Sequence, residues 1–199
     1  MNTDSIRYQK TEAKIMDAFF QLMKKKGFED LTVKDILDLA AISKSTFYVH
    51  YADKFELLDA FENALLDRFV EGEETMSAAW FSENRDFNMD KLPHLDTLFH
   101  IIYEDSEKYA LLFSDKGDRI VFQEKFQKTI HEVWKRIRVT AKEPIPTNYA
   151  LAAIENVVIG LIQEWVKGGC KETEEEFKVI FVGVMKSVTP NLIVSRILF

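Results

Sequence analysis

The amino-acid sequence predicts an all-α fold of about nine helices. Apolar residues recur every three or four positions along most of the chain, which is the periodicity of amphipathic helices. Only 7 Gly and 4 Pro interrupt the 199 residues, which favours long helices over a sheet with many turns. With 47% apolar and 30% charged residues, the composition is that of a globular protein, so wholesale disorder is excluded.

Three helices are predicted at the N-terminus. The first spans about residues 10–26 and stops at Gly27. Thr32, with an acidic residue three positions later, has the form of a capping box, so a short helix of about two turns follows it. Ser43 can cap a third short helix over residues 44–50.

A long helix is predicted next, and it begins at Asp53. Its apolar face consists of Leu58, Phe61, Leu65 and Phe69. The pattern weakens over residues 72–93, which predicts a loop or a broken helix. Helical spacing resumes over residues 95–113 and again over residues 120–138.

Two last helices, residues 147–167 and 173–188, are predicted from a heptad-like spacing of apolar residues. The first of them is apolar nearly all round, and such a helix must be buried on all sides. Two such helices in succession favour a partner chain, so we expect a dimer interface here. The expected interface residues are Ile154, Val158, Leu161, Trp165, Phe177, Phe181 and Val184. The apolar tail, residues 191–199, has no pattern that assigns it a role.

The formal net charge of −7 is distributed unevenly along the chain. Residues 1–54 carry nine basic and eight acidic side chains, whereas residues 55–199 carry a charge of −8. A near-neutral N-terminal head on an acidic body is compatible with nucleic acid binding through the head alone.

Several kinds of protein and site are disfavoured by the composition. Residues 1–14 are polar and no window holds 18 uncharged apolar residues, so we expect a cytoplasmic protein without a secretory signal or a membrane span. One Cys cannot form an internal disulfide. The spacing of His94, His100 and His131 fits no tight metal site, and we expect neither a metal nor another cofactor.

Short second and third helices joined by a tight turn predict a helix-turn-helix motif, whose third helix enters the major groove of DNA. Phe47 and Tyr51 would pack inward. The residues expected to face the base edges are Lys44, Ser45, Tyr48 and Val49. Those expected beside the phosphate backbone are Thr32, Lys34, Thr46, His50 and Lys54. A solvated Lys34, and packing roles for Tyr48 and His50, are the alternatives.

The motif also has a specific form. The run from Ser43 to Lys54, followed by Leu57-Leu58, resembles the signature of the TetR family of bacterial transcriptional regulators. Gly27-Phe28, Leu31-Thr32-Val33 and Ile36 to Ala40 fit the same family at the same spacing. The resemblance is sharp over about residues 10–60, and beyond them it depends on the number and order of helices.

Two positions depart from the family pattern. The turn usually has Gly where this chain has Ala41, and the recognition helix often has Gly where it has Ser45. Ala41 must therefore avoid a positive φ or bear its cost. Neither change breaks the motif, but together they leave the preferred bases open.

The resemblance implies a helix-turn-helix DNA-binding domain of residues 1–52 and a helical ligand-binding and dimerisation domain of residues 53–199. It implies a homodimer that places its two recognition helices in successive major grooves of a palindromic operator. A small molecule in the C-terminal domain would swing the long helix and change the distance between the heads, through its differential affinity for the two spacings. Repression is the expected mode.

The 16 Phe residues would suit a roomy apolar cavity for a small apolar or aromatic effector. The residues expected to line it are Phe99, Tyr103, Tyr109, Phe113, Phe122, Phe126 and Trp134. The alternative is that these side chains simply fill the core.

Two other classes of protein compete with a regulator. An enzyme would be expected to show a phosphate loop, a nucleophile elbow, paired metal-binding histidines or a dinucleotide fingerprint. The sequence shows none of them, so we expect no enzyme. A helical protein-interaction adaptor with a vestigial head is the remaining alternative, and the outward set Lys44, Tyr48, His50 and Lys54 argues against it.

Overall fold

The structure, a computed structural model, describes residues 3–74, 95–136, 139–141, 144–189 and 192–194. Within these ranges the predicted all-α class is confirmed. The nine helices are α1 (Thr3–Asp30), α2 (Val33–Ala40), α3 (Lys44–His50), α4 (Lys54–Glu74), α5 (Leu95–Glu104), α6 (Ser106–Leu112), α7 (Arg119–Arg136), α8 (Thr147–Lys167) and α9 (Glu174–Val188). Most of the stretch 72–93, predicted as a loop or broken helix, lies outside the described residues.

Two short strands were not predicted. Strand β1 (Val139–Ala141) pairs antiparallel with β2 (Leu192–Val194), so that Val139 lies opposite Val194. Strand β2 lies in the apolar tail to which the sequence assigns no role. A strand of three residues is too short to show the alternation by which strands are recognised in a sequence.

The chain forms two compact units. The first comprises residues 1–65 together with 111–119, and the second comprises residues 66–110 together with 120–199. Helix α4 contributes its first half to one unit and its second half to the other. The membership of residues 111–119 in the first unit has no counterpart in the sequence pattern.

The first unit is organised around α1. Its fully buried side chains include Ile15, Phe19, Met23, Leu31, Ile36, Phe47 and Leu57. At Gly27 the backbone turns to φ 79° and ψ 166°, so the regular helix does end there, and only a short turn continues to Asp30. The Phe28 N–H then donates to the Lys116 carbonyl oxygen at 2.8 Å, and the Lys116 ammonium donates to the Lys24 carbonyl oxygen at 2.6 Å.

The second unit contains a cluster of aromatic side chains from α5, α8 and α9. The rings of Trp165 and Phe177 are stacked with centroids 4.1 Å apart, and Phe99 meets Trp165, Phe177 and Phe181 edge-on. The Trp165 indole N–H donates to the Glu172 carbonyl oxygen at 3.0 Å, so this polar atom is satisfied. The cluster joins the last two helices to α5 inside a single chain.

Helix α8 is also long and apolar enough to cross a membrane by length and composition alone, with a mean hydropathy of 1.2 over 18 residues. The core helix of a globular protein meets the same criterion. Eight side chains of α8 are buried within this chain, so the criterion is weak ground for a membrane span.

Candidate nucleic-acid interface

The start of α2 is fixed by the predicted capping box. The Asp35 N–H donates to the Thr32 hydroxyl oxygen at 3.3 Å, and the Thr32 N–H donates to the Asp35 carboxylate at 2.7 Å. The Lys26 ammonium also donates to this carboxylate at 2.6 Å. The hydrogen bonds from Lys26 and Thr32 hold the pKa of Asp35 far below its usual range. The charged cap therefore connects α2 to the end of α1.

The turn between α2 and α3 contains a strained alanine. Ala41 has φ 53° and ψ 49°, the left-handed conformation that the family pattern accommodates with glycine. Its N–H donates to the Leu37 carbonyl oxygen and closes α2. The chain therefore bears the conformational cost that the sequence predicts as one of two outcomes.

Helix α3 is amphipathic in the way the motif requires. The Ser43 hydroxyl accepts from the Thr46 N–H at 3.1 Å and fixes the first turn of the helix. Phe47 is fully buried, whereas Tyr48 and Val49 expose 48% and 71% of their surface. Lys44 and Ser45 are also exposed, and the Lys44 ammonium lies 5.8 Å from the centroid of the Tyr48 ring. The four residues predicted to face base edges thus share one exposed surface.

Among the residues predicted beside the phosphate backbone, Thr32 and Lys34 are exposed and Thr46 is half-buried. The hydroxyls of Ser43 and Thr46 lie 2.8 Å apart. A hydroxyl has one proton to donate, so Thr46 can donate to a phosphate oxygen when Ser43 is the donor in this contact.

His50, in the last turn of α3, is held by a residue that the sequence analysis missed. Its imidazole stacks on the Tyr8 ring with centroids 4.0 Å apart and an interplanar angle of 26°. Next to it, the Tyr51 hydroxyl donates to the Glu12 carboxylate at 3.2 Å. Burial, followed by the Glu12 charge, raises the pKa of Tyr51. The first turns of α1 therefore lie against the end of α3.

The expected phosphate contact of Lys54 is not supported, because its ammonium is engaged inside the protein. It donates to the carbonyl oxygens of Phe28, Glu29 and Leu31 at 3.0, 3.1 and 3.1 Å. It also lies 4.7 Å from the centroid of the Phe28 ring. These three acceptors match the three N–H groups of an ammonium. Lys54 thus closes the C-terminal end of α1.

The residues predicted to line an effector cavity mostly occupy the core. Phe99, Tyr109, Phe122 and Phe126 have no exposed surface, and Phe113 is equally buried within the first unit. Trp134 is 9% exposed. Tyr103 differs, because 45% of its surface is exposed.

Tyr103 opens onto a groove of about 530 Å³ in the second unit. The groove is lined by Tyr103, Ser106, Glu107, Ala110, Val166, Lys167, Gly169 and Cys170. Its lining includes apolar groups together with one acidic and one basic side chain, Glu107 and Lys167. The sequence pattern does not bring these residues together, since they come from α5, α6 and the end of α8.

The predicted dimer-interface residues divide into two groups. Five of them are buried within the single chain and therefore cannot form the surface that meets a partner, a correction to the sequence prediction. They are Ile154, Val158, Trp165, Phe177 and Phe181, each 2% to 6% exposed. Leu161 and Val184 are half-buried and stay available at the edge of the α8 and α9 surface.

Two of the histidines considered as metal ligands lie beside carboxylates. His131 Nδ1 lies 2.7 Å from the Glu155 carboxylate, and His100 Nδ1 lies 3.2 Å from the Glu174 carboxylate. The Glu174 contact raises the pKa of His100. Across the described ranges, no group of three or more metal-binding side chains comes together. His94 lies outside them.

Family models match most of the chain. Residues 15–61 match the model described as bacterial regulatory proteins of the tetR family, and residues 90–187 match a transcriptional regulator C-terminal region of the same family. The chain is also 27% identical over 90 residues to the uncharacterised HTH-type transcriptional regulator YxbF of Bacillus subtilis. That match covers 45% of this chain, which spans only about a fifth of the length of YxbF.

Solved structures share the fold over nearly the whole chain. A TetR transcriptional regulator from Streptococcus agalactiae is 23% identical, with a TM-score of 0.65 over 91% of this chain and 96% of that one. NalD, the secondary repressor of the MexAB-OprM multidrug efflux pump in Pseudomonas aeruginosa, is 13% identical, with a TM-score of 0.62 over 95% and 98%. The dihydroxyacetone kinase operon activator DhaS is 17% identical, with a TM-score of 0.55 over 89% and 93%.

At these identities the structural likeness establishes the fold, and the two family models establish the lineage. The two matched regions together cover the helix-turn-helix segment and most of the C-terminal helices. The chain belongs to the TetR family of DNA-binding helix-turn-helix transcriptional regulators.

Proposed function

We propose that this protein is a homodimeric repressor that binds a palindromic operator through α3 and is released by a small apolar or aromatic effector. The observation that carries the proposal is the division of α3 into the buried Phe47 and the exposed Lys44, Ser45, Tyr48 and Val49. The exposed side chains include donors that suit base edges, Lys44, Ser45 and Tyr48, on a helix that the family places in the major groove.

The contacts with DNA follow from exposure and chemistry. Lys44 and Tyr48 donate to guanine or adenine acceptors in the major groove. The Ser45 hydroxyl can bond to a donor or an acceptor of a base edge, and Val49 packs on a thymine methyl group. Thr32, Lys34, Thr46 and His50 bind phosphate oxygens and fix the register. The Lys54 ammonium, which already donates to three carbonyl oxygens, makes no such contact.

Homodimerisation is supported by the outer faces of α8 and α9. Tyr149 and Val179 are each 70% exposed, and Ile180 and Val188 are also exposed. Ala153, Gly160 and Gly183 lie on the same exposed faces and would let the helices of a partner approach closely. Apolar side chains of this number outside the core are typical of an interface between subunits. We place the interface here, with Leu161 and Val184 at its edge.

We propose that the chain divides into a DNA-binding domain of residues 1–52 and a second domain of residues 53–199, and that the second domain binds the effector. The exposed Tyr103 and the groove beside it are the best-supported entry for an apolar or aromatic molecule, since the Tyr103 ring also stacks on Trp165 with centroids 6.1 Å apart. An effector that reached the aromatic cluster behind Trp165 would have to repack it. Its effect on DNA affinity would equal its differential affinity for the two arrangements of the protein.

Repression is proposed over activation, although the structural relatives include both kinds of regulator. NalD is a repressor and DhaS an activator, and the two NalD structures, with TM-scores of 0.62 and 0.55, do not rank clearly above DhaS at 0.55. A regulator of this kind acts in the cytoplasm, without a cofactor and without catalysing a reaction. Transcription from a template that carries the operator tests the mode, since a repressor lowers the transcript in proportion to its occupancy.

The decisive experiment is selection of bound fragments from the source genome by the purified full chain at moderate salt, followed by sequencing. We expect a palindrome, and affinity for it should fall steeply as salt rises. Recovery of no sequence above background, from protein that is folded and dimeric, would contradict the proposal and favour an interaction adaptor with a vestigial head.

A further inference from the structure

The first turns of α1 carry a basic surface that the helix-turn-helix motif does not include. Arg7, Lys10 and Lys14 are all exposed. Successive members are three and four residues apart, which places them on one side of the helix. The ion pairs found between side chains that the structure describes, which do not include Asp4, involve none of the three. We refer to these three residues as the α1 basic stripe.

The acidic side chains nearest the stripe in sequence are Asp4, Glu12 and Asp17, and the last two accept hydrogen bonds from uncharged donors. The Glu12 carboxylate accepts from the Tyr51 hydroxyl at 3.2 Å, on the face of α1 that packs in the first unit. The Asp17 carboxylate accepts from the Gln21 side-chain amide at 2.7 Å. Residues 4–17 carry three basic and three acidic side chains, so the stripe is distinguished by the exposure and grouping of its three cations and not by a local excess of positive charge.

The stripe is also fixed next to the DNA-reading helix. Tyr8, which lies between the stripe residues in sequence, stacks on His50 in the last turn of α3 with centroids 4.0 Å apart. The hydrogen bond between Tyr51 and Glu12 lies one turn further along α1. A phosphate strand that passes the end of α3 therefore also passes the first turns of α1.

The dimensions suit such a strand. From Arg7 to Lys14 the helix rises about 10 Å, at roughly 1.5 Å for each residue. Successive base pairs rise about 3.4 Å along the duplex axis, so a stripe parallel to that axis spans roughly three base-pair steps. Long basic side chains can reach phosphates on either side of that span.

We propose that the α1 basic stripe binds the phosphate backbone beside the bases read by α3, and that Tyr8 is a positioning residue that holds the stripe against His50. The proposal rests on the proposed operator binding and extends it to a second element of the head. The stripe supplies affinity without sequence preference, because phosphate contacts carry no base information.

The test compares two full-length variants with equal changes of net charge. The first replaces the stripe by Arg7→Gln, Lys10→Gln and Lys14→Gln. The matched control replaces three exposed lysines of the second unit, Lys128→Gln, Lys135→Gln and Lys171→Gln. Affinity for the selected operator is measured by fluorescence anisotropy between low and moderate salt.

Each phosphate contact contributes about 0.9 to the slope of log affinity against log salt concentration. The stripe variant should therefore lose about 0.9 for each contact, or about 5 in a homodimer with three contacts in each subunit. Its preference for the operator over unrelated DNA should stay within about twofold. The control variant should keep the wild-type slope.

The role of Tyr8 is tested on the same readout. Tyr8→Ala should lower the slope, whereas Tyr8→Phe, which keeps the stacked ring, should restore it. A purely structural role would change the melting temperature and leave the slope unaltered. The salt dependence of each single variant, Arg7→Gln, Lys10→Gln and Lys14→Gln, is measured separately. Each should lose about 0.9 in slope for each subunit.

Different results would contradict the phosphate contact of the α1 basic stripe and operator binding by the protein. If the wild-type protein binds an operator with a steep salt dependence and the stripe variant shows the slope of the control, the stripe does not contact DNA and the inference is overturned. If the wild-type protein binds no DNA, the proposed function itself fails.

Discussion

The Lys54 ammonium lies 3.1 Å from the Leu31 carbonyl oxygen, at the point where α1 ends and α2 has not yet begun. Two more carbonyl oxygens, those of Phe28 and Glu29, complete its donors. Such a lysine closes a helix end from another element, which is a stabilising role.

Lys54→Gln is expected to lower the free energy of unfolding by about 1–3 kcal/mol, since hydrogen bonds to a charged group are lost. Urea unfolding measures this change. The salt dependence of operator binding should stay as in the wild type. Lys44→Gln, on the exposed face of α3, should show the reverse, with weaker binding and unchanged stability. A Lys54→Gln variant of full stability and reduced salt dependence would return Lys54 to the DNA interface.

Tyr48→Ala is expected to weaken specific operator binding at least about 30-fold, because each subunit loses a base contact of about 1–3 kcal/mol. The dimer and the melting temperature should be unaffected, since the Tyr48 ring is half exposed. Tyr103→Ala removes a similarly exposed tyrosine from the second unit and serves as the control for operator binding. Unchanged affinity in Tyr48→Ala would refute the placement of the recognition helix.

Ala41→Gly is expected to stabilise the protein by about 1 kcal/mol. A left-handed conformation costs an L-residue about 1–2 kcal/mol, and the greater freedom of glycine in the unfolded chain returns part of the gain. Ala40→Gly, one residue earlier inside α2, should instead destabilise by about 1 kcal/mol. Thermal unfolding compares the two. An equal decrease in the melting temperature of both variants would show that Ala41 bears no conformational cost.

The stability lost in Asp35→Asn should depend on pH. Because the folded state lowers the pKa of Asp35, its carboxylate stabilises the protein above the ordinary aspartate value of about 3.9, and this contribution disappears as the pH falls through the folded pKa. The variant should melt below the wild type at pH 7, and the two curves should converge in acid. A difference in melting temperature that stays constant into acid would contradict a charged cap.

Substitutions on α8 and α9 should separate the core from the dimer surface. Val179→Asp, at a site that is 70% exposed, should split the dimer and leave each subunit helical. Leu161→Asp, at the edge of the surface, should weaken the dimer and cost some stability. Val158→Asp should unfold the subunit, because a buried unpaired charge costs several kcal/mol. Sedimentation and circular dichroism distinguish these results, and a Val179→Asp variant that stays dimeric would move the interface elsewhere.

Much of the first unit could be predicted because its signals are local. The Thr32 cap, the stop at Gly27 and the burial of Phe47 each follow from residues a few positions apart. The contacts of Lys54 inside the protein could not be predicted, for the opposite reason. Its three acceptors lie more than twenty residues away along the chain, and only the fold brings them to the ammonium.

The same limit applies to the last two helices. A heptad-like spacing identifies an apolar stripe but not what covers it, so the buried Val158 and the half-buried Leu161 looked equivalent in the sequence. In the structure, the aromatic cluster around Trp165 covers much of that stripe within one chain. The stack of Tyr8 on His50 joins residues 42 positions apart, and no local pattern signals it.

The participation of residues 111–119 in the first unit has a consequence for exchanging heads between regulators of this family. The Phe28 N–H finds its acceptor at Lys116, far beyond any cut made between residues 52 and 53. A chimaera joined at that cut would place a foreign segment against the end of α1. A functional exchange of heads therefore requires two segments from the same donor protein, residues 1–65 and residues 111–119.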